Sequence, residues 1–151
     1  MIVALTGHRP EDCLQGEATV RRFARQTFED VPEIKTVITG MAAGWDLWAA
    51  DEARKMGLEV WAARPWAGHS PRKADEVLYW SLLKYATKVV NVNDSIEYPG
   101  AWCYQKRNEW MVDNGERVLA YWSGKEKGGT WNCIKYTRKV KKRIRNVYGD
   151  F

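Results

Sequence analysis

The chain has 151 residues, a formal net charge of +5, 45% apolar residues and 28% charged residues. That is the span of one ordinary domain with enough apolar content to fill a core, and it argues against a disordered, fibrous or membrane protein. The charge is uneven: residues 125–151 hold nine Lys/Arg against two Asp/Glu while residues 1–124 carry net −2, so overall basicity is weak ground for nucleic-acid binding.

The opening run, Ile2–Thr6, predicts a first strand and has neither the basic flank nor the apolar core of a secretory signal. In Thr19–Asp30, Val20, Phe23, Ala24 and Thr27 recur at helical spacing, with Val31 just beyond. Thr36–Thr39 is a β-branched run and predicts a second strand. Trp45–Met56 follows as a helix, stopped by Gly57, and Leu58–Ala63 as a third strand. Residues 71–87 predict a helix with Ser70 as its cap and Pro71 at its first position. Lys88–Val92, Tyr104–Asn114, Arg117–Trp122 and Thr130–Arg143 continue the alternation as strand, helix, strand and helix. Asn146–Tyr148 adds a short edge strand. On the last helix Cys133, Tyr136, Thr137, Val140 and Ile144 form an inward stripe, which leaves most of its Lys and Arg on a solvated face.

Strands alternating with helices predict an α/β fold: a single Rossmann-like, three-layer domain over residues 1–151 with a mainly parallel central sheet. No stretch approaches the roughly 20 apolar residues that span a bilayer, so no membrane contact is expected. Cys13, Cys103 and Cys133 are widely spaced without a C-x-x-C, which fits a reduced, cytoplasmic setting. With only two His in the chain, no metal site is expected, and no cofactor.

In such a sheet, ligands bind beyond the carboxyl ends of the strands. Strand one ends in Thr6-Gly7-His8-Arg9-Pro10, where Gly7 permits close backbone approach and Arg9 offers a planar fork for phosphate or carboxylate. Strand two ends in Gly40-Met41-Ala42-Ala43-Gly44-Trp45-Asp46, a small-residue loop running into a helix whose first amides suit an anion. Asp46 has two readings here, a helix cap and an acceptor for ribose hydroxyls. Strand three supplies Arg64. On the next helix Tyr104, Arg107, Asn108 and Met111 share one face, and an inward Arg needs an acidic partner or an anionic ligand. Gly128-Gly129-Thr130 opens the last helix as a second anion cradle, with Thr130 as cap or phosphate contact.

Taken in order over about residues 1–140, these motifs resemble the SLOG superfamily, the Rossmann-like group that includes the DNA-processing protein DprA and the LOG phosphoribohydrolases. They look most like its YpsA-like branch. The resemblance implies a nucleotide or nucleotide-derived ligand in the enclosed pocket, sensed or sequestered in bacterial and phage conflict systems. It also implies a departure. LOG enzymes pair an Arg, matched by Arg107, with a Gly-rich loop followed closely by Glu. Here Gly128-Gly129-Thr130 is a shortened loop, and Trp131-Asn132-Cys133 stands where that Glu would be. Asn132 cannot take a proton, so whether the protein is an enzyme stays open.

The leading expectation is binding of a phosphorylated, nucleotide-derived small molecule by Thr6, Gly7, His8, Arg9, Gly40, Met41, Ala42, Gly44, Asp46, Arg64, Arg107, Asn108, Gly128, Gly129 and Thr130, with Trp45 or Trp131 stacking on the base. Most of the nine Trp are expected in the core. The alternative is nucleotide N-glycosidic or other hydrolysis, with Arg107 and Asp46 as catalytic candidates and Asp113 as a further carboxylate. DprA-like nucleic-acid binding ranks third and nucleic acid is an unlikely partner; a homo-oligomer is open.

Overall fold

Residues 1–148 are described by a computed structural model. The first strand, β1 (Ile2–Gly7), shows why its sequence is nearly all apolar. Val3 and Leu5 enter one core and Ala4 enters the other, so both faces are covered. The same division runs through β2 (Thr36–Thr39) with Val37 and Ile38, and through β5 (Arg117–Tyr121) with Leu119 and Val118. With β3 (Glu59–Arg64), β4 (Lys88–Asn91) and β6 (Arg143–Asn146), these strands form a six-stranded sheet in the order β4-β3-β2-β1-β5-β6. Every neighbouring pair is parallel.

One core lies under α1 (Glu17–Asp30), α2 (Trp45–Lys55) and α3 (Glu76–Tyr85); the other lies under α4 (Trp102–Asn114) and α5 (Gly128–Lys139). The chain winds outward from β1 to β4, then crosses back to place β5 on the opposite side of β1. Strand order therefore reverses between β1 and β5. That opens a crevice at their carboxyl ends, where this class of fold holds ligands.

Three predicted elements shift. The helix expected from residue 71 begins at Glu76, after a 3-10 turn at Lys73–Asp75. Ser70 and Pro71 precede it in non-helical backbone, so Ser70 caps no helix. Arg72 is extended (φ −68°, ψ 159°) and its Nε pairs with Asp75 at 2.7 Å. The last helix starts at Gly128, with Lys127 at the cap position and Thr130 inside the helix, and it ends at Lys139. Lys141 then takes a left-handed turn (φ 60°), which releases residues 143–146 to pair with β5. Ile144 thus belongs to β6, and the edge strand lies earlier than Asn146–Tyr148.

That turn also redirects Lys142. Its Nζ donates to the carbonyls of Val112 (2.6 Å), Asp113 (3.0 Å) and Gly115 (2.7 Å), which closes the carboxyl end of α4. Among the tryptophans, Trp45 and Trp48 are buried, five are partly covered, and Trp80 and Trp102 are exposed, so fewer fill the core than expected. Among the described residues no helix is long and apolar enough to cross a membrane. All three cysteines are unpaired and buried.

Candidate functional site

A cavity of about 510 Å³ opens beyond the carboxyl ends of β1 and β5. Thr6, Gly7, His8 and Arg9 line it from the end of β1, Asp12 from the turn that follows, Ala42 from the loop before α2, Asp46 from the first turn of α2, and Tyr104, Arg107 and Asn108 from α4. The loop after β5 and the first turn of α5 complete it with Lys125, Lys127, Gly128, Gly129, Thr130 and Asn132. A smaller cavity of about 200 Å³ adjoins it, sharing Arg9, Ala42, Tyr104 and Arg107 and adding Met41 and His69.

Arg107 lies on the floor, only 7% exposed. Its Nη1 donates to the Gly40 carbonyl at 2.6 Å and its Nε to Asn108 Oδ1 at 3.1 Å. Asn108 Nδ2 reaches the Gly129 carbonyl at 3.4 Å, tying α4 to the glycine loop. Among the described residues Arg107 forms no ion pair within 4.0 Å. A buried guanidinium bound only to neutral oxygens is electrostatically incomplete.

Asp46 is the nearest acidic influence on it. The carboxyl is pushed up to about 6, chiefly by burial; Arg107, the backbone amides of Ala42 and Gly40, and Arg9 oppose that rise. Asp46 is the second residue of α2, whose cap position is Gly44, so the helix-cap reading gives way to a carboxyl turned back onto the Gly40–Ala42 loop. Thr39 Oγ1 secures this corner by donating to the Asp46 carbonyl at 2.9 Å.

His8 is fixed differently. Its Nε2 accepts the Ser123 amide at 2.9 Å and lies 3.0 Å from Ser123 Oγ; burial holds its pKa below the usual value. A neutral ring accepting at Nε2 joins the ends of β1 and β5.

Several predicted site residues serve the fold instead. Arg64 lines neither cavity. Its Nε donates to Tyr79 Oη at 2.9 Å, Nη1 to Asn91 Oδ1 at 3.4 Å, and Nη2 to the His69 carbonyl. Gly40 and Gly44 also lie outside the lining. A Cβ on Gly40 would stand 2.8 Å from Asp46 Oδ2 and 2.9 Å from Arg107 Cζ, so that glycine makes room for the site's own charges. Gly7, although on the wall, packs against Trp45. Gly128 and Gly129 have open space where a Cβ would stand, and Gly128 has φ +87°, so their backbone can be approached closely.

The predicted stacking residues are elsewhere. Trp45 is fully buried against Tyr121, with ring centroids 5.9 Å apart, and Trp131 stacks on Trp122 at 5.5 Å. The aromatic surface at the site is Tyr104, backed by Trp66 at 5.9 Å and Tyr98 at 6.2 Å. Asp113 is turned away to accept from Tyr136 Oη at 2.7 Å. Lys125 and Lys127 were missed because they fall in the basic C-terminal stretch. Their place directly after β5, in the strand-end loop, was the available signal.

No family model matches the chain. Over 77 aligned residues it is 34% identical to the uncharacterized SPbeta prophage-derived protein YoqJ of Bacillus subtilis, a match covering 44% of each chain. Two solved structures of DNA processing protein A superpose on 95% of the chain. The Streptococcus pneumoniae protein gives a TM-score of 0.69 at 16% identity, covering 49% of that protein. The Helicobacter pylori protein, which binds single-stranded DNA, gives 0.72 at 14% identity, covering 63% of it. The chain shares its fold with DNA processing protein A. TM1055, a structural-genomics target, also superposes, with a TM-score of 0.65 at 15% identity over 98% of this chain and 76% of that one. The chain thus spans about half to two thirds of the two DprA structures and less than half of YoqJ.

Proposed function

We propose that the protein binds a nucleotide or nucleotide-derived phosphorylated small molecule in the crevice between β1 and β5, and acts as a sensor or sequestering protein of the YpsA-like kind. The observation that carries this reading is Arg107: buried, held in place by Gly40 and Asn108, without an ion-pair partner among the described residues, and facing a cavity. Arg9, Lys125 and Lys127 add positive charge around the same space, and Gly128–Gly129 present backbone at the start of α5. An anion meets every one of these groups favourably. Tyr104 is the surface for a base or sugar.

The partial likeness to a prophage-derived protein is in keeping with a role in phage conflict. The three free cysteines suit a cytoplasmic setting, and exposed Trp80 and Trp102 suit self-association. Mass spectrometry of ligand released from the purified protein, with calorimetry against mono-, di- and cyclic nucleotides, tests the reading. A folded protein that binds none of them refutes it.

Asp46 favours a second reading, nucleotide hydrolysis. A carboxyl near pKa 6 on a cavity wall is matched to proton transfer at neutral pH, and Asn132 on that wall cannot do this work. Release of free base or phosphate from a nucleotide mixture, lost in Asp46→Asn, is the result that reading requires.

Long nucleic acid fits less well. Trp122 and Trp131 stack on one another, and Arg138 already covers both rings at 5.6 and 5.7 Å. Fluorescence anisotropy at two salt concentrations decides this, because phosphate-backbone binding weakens steeply with salt.

A further inference from the structure

We propose that the smaller cavity is a subsite for a neutral, sugar-sized group, joined to the nucleotide through an internal phosphate. This rests on the nucleotide reading above and narrows it to nucleotides carrying a second, uncharged end. Positive charge stands where the two cavities meet. Arg9 and Arg107 belong to the walls of both cavities. An anion held between them therefore lies at the junction, in the middle of a ligand that continues to either side. Arg107 is fixed at this junction; the Arg9 guanidinium is exposed and makes no hydrogen bond or ion pair among the described residues.

Beyond the junction the two sides differ in the cations they leave unpaired. The larger side has Lys125 and Lys127, neither in an ion pair among the described residues, beside the carboxylates of Asp12 and Asp46. The smaller side has Arg72, but its Nε pairs with Asp75 at 2.7 Å and its Nη1 with Glu11 at 3.1 Å. His69 on the same wall has Nδ1 2.8 Å from Tyr79 Oη; burial, with Arg107, Arg64 and Arg9 nearby, pulls its pKa down to about 4. It is neutral at pH 7. The smaller side therefore offers no unpaired cation to a second phosphate, and an uncharged group suits it.

Size and lining narrow the occupant further. About 200 Å³ is less than half of the neighbouring 510 Å³, room for one ring rather than a second nucleotide. The Ser70 hydroxyl and the Asp75 carboxylate line this space with groups that pair with hydroxyls, and the shared Tyr104 ring offers a flat apolar surface to the C–H face of a sugar.

Calorimetry on the full chain with two ligand pairs, ADP against ADP-ribose and UDP against UDP-glucose, tests the subsite. In at least one pair the sugar-bearing member should bind roughly tenfold tighter or more. Ala43→Phe and Ser70→Trp, which alter only the wall of the smaller cavity, should each remove that advantage and leave ADP or UDP affinity unchanged. Retained parent-nucleotide binding shows that a variant is folded. Equal affinity within both pairs, or an advantage that survives in folded variants, overturns the subsite and leaves nucleotide binding standing. Failure of all four ligands to bind the folded wild type overturns the nucleotide reading and this inference with it.

Discussion

Asp46 and Arg107 approach one another across the bare Cα of Gly40: a Cβ there would lie 2.8 Å from the carboxylate oxygen Oδ2 and 2.9 Å from the guanidinium carbon. The arrangement holds an acid and a base close together without joining them in an ion pair. A single methyl group should push the two apart. Gly40→Ala is predicted to cost about 1–3 kcal/mol of stability, as overpacking of a tight interior does. It should also weaken ligand binding. Denaturant unfolding beside calorimetry checks both effects.

The raised pKa of Asp46 has a thermodynamic consequence with a definite sign. The folded carboxyl titrates at about 6 against an ordinary value of 3.8. Between those values the native state holds more proton than the unfolded chain, so this group lowers stability as pH rises through that window and adds no further slope above it. Asp46→Asn removes the effect. The stability difference between wild type and variant should change by on the order of 2–3 kcal/mol from about pH 4 to about pH 7, in favour of the variant at the higher pH. Unfolding midpoints across that range measure it.

Arg64 and Arg107 both end up buried near the crevice, but their partners separate them. Arg64 is surrounded by Tyr79, Asn91 and the His69 carbonyl and lines neither cavity. Arg64→Met is predicted to cost roughly 1–3 kcal/mol through unsatisfied buried acceptors. Nucleotide affinity of the folded fraction should not change. Comparing the unfolding midpoint with the binding constant tests that separation.

Lys142 provides a prediction far from the site. Its ammonium caps three carbonyls at the end of α4. Lys142→Met should cost about 1–3 kcal/mol, because hydrogen bonds to a charged donor are lost at a helix carboxyl end. Ligand binding should persist. A denaturant midpoint that does not move would show that the cap contributes nothing.

Much of this was legible in the chain. The β-branched and apolar runs of β1, β2 and β5 encode burial on both faces, which is why they read clearly as parallel strands. The inward position of Arg107 and Asn108 followed from helical spacing alone. What escaped the sequence depends on distant partners. Arg64 resembles a strand-end ligand contact until Tyr79 and Asn91 are brought beside it. Asp46 reads as a cap until the Gly40–Ala42 loop folds back over it. The C-terminal lysines read as one solvated surplus, yet Lys125 and Lys127 line the cavity and Lys142 closes α4. The stop of α5 was missed because the left-handed turn falls on Lys141, a residue type that does not announce it.

In the proposed function Arg107 waits for an anionic ligand. Calorimetry of ADP with the wild type and with Arg107→Met, whose unbranched side chain keeps much of the buried volume, tests it most directly. The wild type should bind, and the variant should remain folded and lose about 3 kcal/mol of binding energy, more than a hundredfold in affinity. A folded variant that binds ADP as tightly as the wild type would contradict the account.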